Sequence, residues 1–481
     1  MSTQDPHRFD VIVVGAGTAG IPCAVHAARG GARVLLVEKD ARIGGTLHVT
    51  GGHMAAAGTR RQAEHGIVDS VEAHLEDIRR ISQGLARDDL ITINTQHAAE
   101  TVDWLADRGF AFASETPRIV YGHEPYGIPR TYYGKDEGAS ILEILRVELD
   151  SALADGQLTI WTQTPVVDLR QDDTGAVIGI TALRDGTDVD IDAPSVVLAT
   201  GGYGADPELF HELEGAPLVS AAARTSTGDG LHLGMAIGAR LQGQGTYLPT
   251  FGGLPDPQVP GRANWADRQR LTSERAPKEI YVTREGKRWV AEDEESIDEK
   301  ERALTTIPDQ TFWTIFDEPA LDAATGGVNQ MVVGKEPDEV RAMMNARPGL
   351  HSADSIEELA QLAGIDEAGL ARTVADYNRA VEAGMDSEFG RKYLPAPIAT
   401  APFYAIRNHA ISLVTFQGLD IDETFAVRND EGGSISGLYA IGEVIGAGAT
   451  CGNSFCSGML VTPALTFGRL LGDRLGSAAT P

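Results

Sequence analysis

Three glycines near the start of the sequence stand at the G-x-G-x-x-G spacing that can cradle a dinucleotide pyrophosphate. Gly15, Gly17 and Gly20 follow a continuous apolar run that is typical of a buried parallel strand. The first glycine allows a tight turn, the second lets the backbone approach the pyrophosphate, and the third lets helix and strand pack closely. An Ala-rich helix and a second apolar strand follow, and Glu38 at the end of that strand can accept both hydroxyls of an adenine ribose. The glycine spacing alone is weak evidence, but the complete unit predicts a dinucleotide site.

Three glycine-rich segments further along the chain favour FAD over NAD as the dinucleotide. Residues 42–53 follow the Glu38 strand directly, as a loop of the kind that passes close to a pyrophosphate and a flavin. Residues 193–204 form an apolar strand that ends in a Gly pair, and residues 435–446 form a strand that runs into a Gly and an acid. Each segment alone can be a buried strand with a glycine turn, but their order along the chain indicates FAD. The residues that we expect to hold FAD are Gly15, Gly17, Thr18, Ala19, Gly20, Glu38, Lys39, Gly44, Gly45, Thr46, Gly51, Gly52, Val166, Ala199, Thr200, Gly201, Asp229, Gly442, Glu443, Gly458, Leu460 and Val461.

The composition limits the partners that the chain can have. Its 481 residues are enough for two domains, and 69 Asp and Glu against 40 Lys and Arg give a formal net charge of −29. So acidic a chain is not expected to bind nucleic acid or an anionic membrane. The polar start and the lack of an 18-residue apolar run predict neither secretion nor a membrane span, and we expect a cytoplasmic protein.

The three cysteines have neither a metal-binding nor a disulfide spacing. Cys23, Cys451 and Cys456 are odd in number and form no C-x-x-C pair, so the sequence predicts no metal and no haem. A thiol nucleophile is disfavoured as well, because no His stands beside Cys451 or Cys456 in the sequence. Any electron carrier is therefore expected to be a separate molecule.

The middle of the sequence departs from the strand and helix rhythm of its two ends. Between residues 243 and 409, a Pro- and Gly-rich approach and a charged segment lead to residues 355–384, whose apolar residues recur at helical spacing. Only one dinucleotide fingerprint is present, because the later Gly-rich stretches have a different glycine spacing and do not follow a strand. We therefore expect an inserted domain of another fold, and no built-in NADH domain.

Taken together, these segments resemble one flavoprotein family over nearly the whole chain. That family contains the soluble fumarate reductases, urocanate reductase, the flavoprotein subunit of succinate dehydrogenase and the 3-ketosteroid dehydrogenases. Besides the Gly-rich segments, the stretches that match family patterns in order and spacing are residues 225–239, 282–293, 402–406 and 463–469.

The resemblance implies the architecture of the chain. It implies an α/β protein with a Rossmann-like FAD-binding domain of the glutathione-reductase type, assembled from residues 8–242 and 414–478. An α+β cap over residues 243–413 is inserted between these two parts, with the active site where the cap meets the flavin ring. FAD is expected to be bound noncovalently, because His48 stands at a different offset from the following glycine pair than the flavin-linked His of the family.

The resemblance also bears on the substrate. Fumarate reductases as a family hold two carboxylates with His and Arg residues and protonate carbon through an Arg. In this sequence the four matching positions carry uncharged residues, namely Leu248, Ser296, Val414 and Phe455. A buried dicarboxylate without paired donors has a desolvation cost of several kcal/mol per charge. We therefore expect the pocket to reject fumarate and succinate and to accept a neutral or singly charged carbocyclic compound.

A pocket of this kind resembles that of the ketosteroid dehydrogenases, which remove two hydrogens from the carbons next to a ketone. The reaction needs donors for the carbonyl oxygen, a weak base for the α-proton, and flavin N5 as hydride acceptor. The resemblance places Ser457 and Gly458 where a helix begins beside the flavin, so that a hydroxyl and an N–H can bind the oxygen. Ser457 can equally be an ordinary N-cap. Phe455 stands where one ketosteroid-dehydrogenase subgroup has Tyr, which leaves a smaller cyclic ketone open beside a steroid.

A tyrosine is the base that the resemblance implies. The Pro- and Gly-rich residues 118–138 form the loop in which the family places substrate-facing residues, and Tyr121 is the first choice there, followed by Tyr126. Tyr247, beside Leu248, is a third candidate from the cap. Each of them can equally be an ordinary packing or surface tyrosine.

The sequence therefore predicts an FAD-dependent oxidoreductase that acts on CH–CH bonds. The favoured reaction is the α,β-dehydrogenation of a cyclic ketone, either a steroid or a smaller cyclohexanone-type compound, with an external electron acceptor. The first alternative is an ene-reductase of an enone or unsaturated carboxylic acid, since both directions use the same flavin and proton shuttle. The second alternative is a flavin-binding subunit without turnover of its own, which the lack of cysteine clusters disfavours.

Overall fold

A computed structural model describes residues 7–271 and 274–479 of the chain. The first six residues lie outside the described part. They make up most of the polar start on which the prediction of no secretory leader depends. Within the described ranges, no helix is both long enough and apolar enough to cross a membrane.

The chain up to residue 242 opens with the predicted strand, helix and second strand, and further helices and strands follow. Its elements are β1 (Val11–Val14), α1 (Gly20–Arg29), β2 (Val34–Val37), β3 (Met54–Ala55), α2 (Arg60–Glu64), α3 (Val71–Ile81), α4 (Asp88–Asp107), β4 (Thr131–Tyr132), α5 (Gly138–Ala154), β5 (Leu158–Trp161), β6 (Val166–Gln171), β7 (Val177–Arg184), β8 (Thr187–Asp192), β9 (Ser195–Leu198), α6 (Pro207–Glu214), α7 (Asp229–Ala236) and β10 (Leu241–Gln242).

The middle of the chain has short strands first and helices later. Its elements are β11 (Leu254–Pro255), β12 (Ala263–Asn264), β13 (Ile280–Val282), α8 (Ile297–Leu304), β14 (Thr311–Asp317), α9 (Glu318–Asp322), α10 (Pro337–Met343), β15 (Leu350–Ala353), α11 (Ile356–Ala363), α12 (Glu367–Ala383) and β16 (Phe403–His409).

The last part of the chain returns to strands followed by one long helix. Its elements are β17 (Gly418–Leu419), β18 (Ala426–Arg428), β19 (Ser434–Ala440), α13 (Gly448–Cys451) and α14 (Val461–Ala479).

The first and last parts of the chain share a six-stranded sheet, in the order β18-β19-β9-β1-β2-β5. Neighbouring strands are parallel except β18 and β19, which are antiparallel. Every residue of β1 and β2 is buried, as expected for parallel strands that are covered on both faces. Because β19 comes from the last part of the chain, both ends of the sequence build this one sheet.

The middle of the chain builds its own four-stranded antiparallel sheet, in the order β13-β14-β16-β15. Helices α11 and α12 share a buried apolar cluster with this sheet. The sequence predicts one helical stretch over residues 355–384, and the structure divides it into these two helices. Gly364 ends α11 with a φ of 69°, and the Asp366 side chain then caps α12 by accepting the Gly369 N–H at 2.6 Å.

Two glycines let the last helix lie against the first. A Cβ added at Gly468 would stand 2.5 Å from the carbonyl oxygen of Ala19, and one added at Gly472 would stand 2.5 Å from that of Cys23. A side chain at either position would therefore force α14 away from α1. The close packing holds the C-terminal helix beside the glycine turn that follows β1.

The predicted fold class is confirmed. The chain is an α/β protein with a parallel sheet and an additional cap built from its middle part. The domain limits at residues 8–242, 414–478 and 243–413 stay a prediction.

Candidate active site

A cavity of about 1060 Å³ opens along the carboxyl ends of the parallel strands and extends to the cap. The residues that directly follow β1, β2 and β9 line it, as does Gly442 two residues after β19, and this edge is where ligands bind in open α/β sheets. The predicted cofactor residues that line the cavity are Gly15, Gly17, Thr18, Ala19, Glu38, Lys39, Gly45, Thr46, Gly51, Val166, Ala199, Thr200, Gly201, Asp229, Gly442, Glu443, Gly458, Leu460 and Val461.

The three remaining predicted cofactor residues, Gly20, Gly44 and Gly52, lie behind this lining. An added Cβ at Gly20 would stand only 1.8 Å from the carbonyl oxygen of Gly15. Added Cβ atoms at Gly44 and Gly52 would stand 2.7 Å from Leu142 and 2.8 Å from the Gly138 nitrogen. These glycines therefore serve close backbone packing around the cavity.

The turn after β1 is built to receive a phosphate group. Gly15 has a φ of 104°, and a Cβ there would stand 2.4 Å from the carbonyl oxygen of Ala199. A Cβ at Gly17 would meet no atom within 4 Å, because this glycine faces the open cavity. Helix α1 begins at Gly20 without a capping side chain, so its first N–H groups can bind an anion.

The cavity has polar groups beside β2 that suit an adenosine. One carboxylate oxygen of Glu38 accepts the Ala16 N–H at 2.8 Å and the other accepts the Asp40 N–H at 2.9 Å. These bonds fix the side chain at the end of β2, where its remaining lone pairs can accept ribose hydroxyls. Lys39 forms an ion pair of 2.8 Å with Asp229 across the same part of the cavity.

The lining fits FAD in a further respect. The hydroxyl of Thr200 lines the cavity and is buried, and it has no hydrogen-bond partner among the described residues. Glu443 also lines the cavity, and burial raises the pKa of its carboxyl although it accepts the Thr415 N–H at 3.0 Å. An orphaned hydroxyl and a partly satisfied acid are the groups that a ribityl chain and a flavin ring can pair with.

The turn that contains Ser457 and Gly458 also lines the cavity. The Ser457 hydroxyl lies 3.1 Å from the Thr131 hydroxyl, and Gly458 has a φ of 77°. No acceptor for the Gly458 N–H is found in the described part of the chain. Helix α14 begins only at Val461, so the structure does not place Ser457 at its N-cap. Both donors can therefore face a ligand in the cavity.

None of the three predicted tyrosines lines the cavity. Tyr121 is 49% exposed. Tyr126 is buried, and its hydroxyl donates to the carbonyl oxygen of Ser457 at 2.5 Å. The Tyr247 hydroxyl donates to Gln310 at 3.3 Å. Tyr126 thus supports the turn at Ser457, and the assignment of a tyrosine base stays a prediction that these positions do not support.

The four positions that carry cations in fumarate reductases form two different environments. Leu248, Val414 and Phe455 belong to one apolar cluster, and the latter two line the cavity. Ser296 lies elsewhere, at the start of α8, where its hydroxyl accepts the Glu299 N–H at 3.0 Å. The cavity wall beside the Ser457 turn is therefore apolar.

Two histidines and one glutamate in the cavity are not among the predicted site residues. His53 and His123 line it, and burial lowers the pKa of both, that of His123 to about 4. The His123 ring packs on Phe455 with centroids 5.0 Å apart. Glu301 of α8 is fully buried and also lines the cavity. Their residue types were visible, but only the fold shows that these side chains turn inward.

Four arginines line the cavity, of which one is exposed and three are partly buried. They are Arg224, Arg262, Arg268 and Arg270, of which the last pairs with Glu274 at 3.4 Å. Within the described ranges, the other three have no carboxylate within ion-pair distance. Burial is the main cause that lowers the pKa of Arg262 and Arg268. The sequence reasoning missed these cations because their loops come to the cavity only in the folded chain.

The phosphate turn, the glycine-rich lining and the parallel sheet define an FAD-binding flavoprotein. The family described as FAD binding domain matches residues 10–460 of the chain, and the chain belongs to this family. This confirms FAD as the cofactor.

Curated relatives and solved structures agree with this class. The chain is 31% identical over 480 residues to the probable fumarate reductase Ifc3 of Shewanella frigidimarina, covering 98% of this chain and 75% of that protein. It is 29% identical to the digoxin reductase of Eggerthella lenta, covering 98% and 87% of the two chains. The chain is thus an oxidoreductase flavoprotein of the fumarate reductase-like kind.

Two solved structures show the same fold. The open conformation of a flavocytochrome c3 fumarate reductase matches with a TM-score of 0.76 and 28% identity, covering 100% of this chain and 80% of the other. A 3-ketosteroid-Δ4-(5α)-dehydrogenase from Rhodococcus jostii, in complex with 4-androstene-3,17-dione, matches with a TM-score of 0.70 and 25% identity, covering 100% and 99%. Both the fumarate reductase and the ketosteroid dehydrogenase branches are therefore structural neighbours of the chain.

Proposed function

We propose that the chain catalyses the FAD-dependent α,β-dehydrogenation of a cyclic ketone, either a steroid or a smaller cyclohexanone-type compound. The observation that carries this proposal is the apolar wall of Val414 and Phe455 beside the donors of the Ser457 turn. A wall of this kind accepts a hydrocarbon ring, and the donors beside it suit a carbonyl oxygen. When bound, FAD supplies a hydride acceptor at N5.

The physical argument against a dicarboxylate is the cost of desolvation. Each carboxylate moved next to the apolar cluster around Leu248 loses its hydration without a paired donor, which costs several kcal/mol. Four arginines also line the cavity, one exposed and three partly buried. A substrate with one acid can pair with one of them, whereas the apolar cluster around Leu248 offers no donor to a second carboxylate.

The chain's own residues supply the activation of the ketone. The Ser457 hydroxyl and the Gly458 N–H can donate to the carbonyl oxygen as negative charge builds up on it. Tyr126 holds the backbone of this turn through the Ser457 carbonyl, so it acts as a positioning residue. The ring of Phe455 packs against that of His123, tilted by 30°, and adds apolar surface to the same region.

A second candidate is the reverse reaction, the reduction of an enone or unsaturated acid. The names of the relatives favour it, since they include a fumarate reductase, a urocanate reductase and a digoxin reductase. The ketosteroid dehydrogenase structure supports the first candidate. The same donors in the Ser457 turn would serve both directions, because the enolate is common to them.

A substrate panel tests both candidates. The purified holoprotein would be assayed with cyclic ketones and an oxidising dye, and separately with the matching enones and reduced viologen. We expect ketone-dependent dye reduction to exceed viologen oxidation, and succinate and fumarate to give no turnover. Faster turnover with the enones would favour the second candidate. Turnover of fumarate or succinate, with none of the ketones, would overturn the proposal.

A further inference from the structure

One carboxyl group in the cavity has no assigned role. Glu301 lies on α8 of the cap, is 0% exposed and lines the cavity together with Ile297 of the same helix. Neither of its carboxyl oxygens has a hydrogen-bond partner at normal distance among the described residues. A buried carboxyl without partners is costly for the fold, so its presence on a cavity wall points to a function.

The surroundings of Glu301 favour its protonated form. Burial raises its pKa well above the ordinary range, and the nearby Asp298 raises it further. The Thr250 hydroxyl, Lys300 and Arg302 act in the opposite direction but do not outweigh burial. Burial, Glu214 and Glu301 all raise the pKa of Tyr247 at the start of the cap. A group of this kind is both a competent acid and, once deprotonated, a strong base.

We propose that Glu301 is the catalytic residue that exchanges a proton with the α-carbon of the substrate. This inference rests on the proposed function, because it assigns the proton transfer of the same reaction. The two catalytic roles would then come from different parts of the chain. The cap supplies the proton carrier, and the Ser457 turn supplies the oxygen donors.

The step balances in both directions. In dehydrogenation the Glu301 carboxylate takes the α-proton, and the C–H electron pair forms an enolate whose oxygen is held by Ser457 and Gly458. Bound oxidised FAD would accept the β-hydrogen as hydride, and the enolate pair would become part of the new C=C bond. In reduction, bound reduced FAD would supply the hydride for the β-carbon, and the Glu301 carboxyl would give its proton to the α-carbon.

The structure also offers a route by which this proton is exchanged with solvent. Asp298 stands one helical turn before Glu301 on α8 and is buried as well, and its pKa is raised to about 7 by burial. Glu124, which is half-buried, acts on Asp298 and contacts Ser296 at the start of the same helix. These three carboxyl groups lie on or beside α8, and through them the proton would be exchanged.

Other groups in the cavity suit this role less well. Cys456 lines it, but its thiol pKa is raised well above the ordinary value by the neighbouring Cys451 and by burial. His53 and His123 have lowered pKa values, so they are weak bases. The three candidate tyrosines do not line the cavity.

The test compares Glu301→Gln and Glu301→Asp with the control Glu299→Gln. Glu299 lies on the same helix but is exposed, so its substitution makes the same change from carboxyl to amide outside the cavity lining, where it removes an ion pair with Arg302. We expect Glu301→Gln to lower turnover by about 10²–10⁴-fold, the usual range for a general acid or base. Glu301→Asp should recover part of this loss, and Glu299→Gln should behave as the wild type.

Two further readouts do not depend on overall turnover. Holoprotein incubated with a saturated cyclic ketone in D₂O, without electron acceptor, should place deuterium at the α-carbon, and Glu301→Gln should abolish this exchange. The infrared C=O band of a protonated carboxylic acid should be present in the wild-type protein at neutral pH and be reduced in Glu301→Gln. The α-exchange rate should rise with pH, because the carboxylate is the form that takes the proton.

The possible outcomes separate this inference from the proposed function. Exchange and turnover by Glu301→Gln at the wild-type rate would overturn the role of Glu301 with any substrate. If no ketone reacts but enones are reduced, the measurement becomes deuterium incorporation at the product's α-carbon. Impaired incorporation by Glu301→Gln would then support Glu301 as the acid, although the dehydrogenation proposal would be wrong. Unimpaired incorporation would overturn both the role of Glu301 and the dehydrogenation proposal.

Discussion

Two donors at adjacent residues, one hydroxyl and one N–H, are the chemical core of the Ser457 turn. A glycine is needed at position 458 for two reasons. Its φ is positive, and an added Cβ would stand 2.3 Å from the Ala55 nitrogen. Only glycine can therefore turn the chain so that its N–H and the preceding hydroxyl both border the cavity.

Ser457→Ala tests this turn at the level of one atom. We expect kcat/KM to fall by about 10²–10³-fold, since a removed oxyanion donor has that effect. FAD content, measured from the flavin absorbance, should stay unchanged. The control is Ser477→Ala, because that serine is exposed on α14 and only donates to the Asp473 carbonyl oxygen at 2.8 Å. An equal loss in both variants would contradict the assignment.

Two matched substitutions separate the roles of Tyr126 and Tyr121. Tyr126→Phe removes the donor to the Ser457 carbonyl, so we expect a loss of about 1 kcal/mol in the free energy of unfolding and a smaller rate effect than Ser457→Ala. Tyr121→Phe should keep most of its activity, because that ring lies outside the cavity lining. Denaturant unfolding and steady-state rates give the answer. A loss of several hundred-fold in Tyr121→Phe would restore that residue as the base.

At the scale of elements, the unit of β1, its glycine turn and α1 carries the cofactor. The second and third glycines of the motif have different roles. Gly20 faces the backbone of Gly15, whereas Gly17 faces open space in the cavity. One sequence motif therefore combines a packing requirement with a binding requirement.

Gly17→Ala and Gly20→Ala should separate these requirements. In Gly20→Ala the new methyl group would overlap the Gly15 carbonyl, so we expect the apoprotein to lose roughly 1–3 kcal/mol or more of stability. In Gly17→Ala the new methyl group should leave apoprotein stability unchanged and weaken FAD binding by roughly tenfold, because it enters the space of the pyrophosphate. Thermal unfolding of the apoprotein and flavin titration measure the two effects. Equal unfolding temperatures in the two apoprotein variants would contradict this division.

Elements with strong local patterns could be predicted from the sequence, and positions set by tertiary packing could not. The apolar run before Gly15 and the helical spacing of residues 355–384 depend on nearby residues, and both form the predicted elements. The inward direction of Glu301 depends on which face of α8 meets the cavity, and the burial of Tyr126 depends on the turn at Ser457. Neither contact is local, since 331 residues separate Tyr126 from Ser457.

At the scale of the whole molecule, the cap and the FAD-binding unit complete one site. Arg302 of α8 donates to the carbonyl oxygen of Asn453 at 2.8 Å, which ties the cap helix to the segment just before Ser457. This contact holds the helix that carries Glu301 against the turn that carries the oxygen donors. The catalytic arrangement is therefore a property of the assembled chain and not of either part alone.

The buried acids of α8 should also make the stability of the whole chain depend on pH. The pKa of Asp298 is raised from 3.8 to about 7, mainly by burial, and it is also affected by Ser454, Glu124, Arg302 and the Phe455 N–H. A raised carboxyl pKa means that the folded state binds the proton more tightly than the unfolded state. The stability from this group is therefore fully present below about pH 4 and is lost as the pH rises to about 7.

The difference between 3.8 and about 7 corresponds to roughly 4 kcal/mol. Asp298→Asn removes the titration, so its free energy of unfolding should change less between pH 5 and pH 8 than that of the wild type. Denaturant unfolding at the two pH values measures the change, with Glu299→Gln as the exposed control on the same helix. Glu301 titrates in the same direction, so a part of the pH dependence should remain in Asp298→Asn and disappear in the double variant with Glu301→Gln. An equal pH dependence in the wild type and the double variant would show that α8 carries no buried neutral acid.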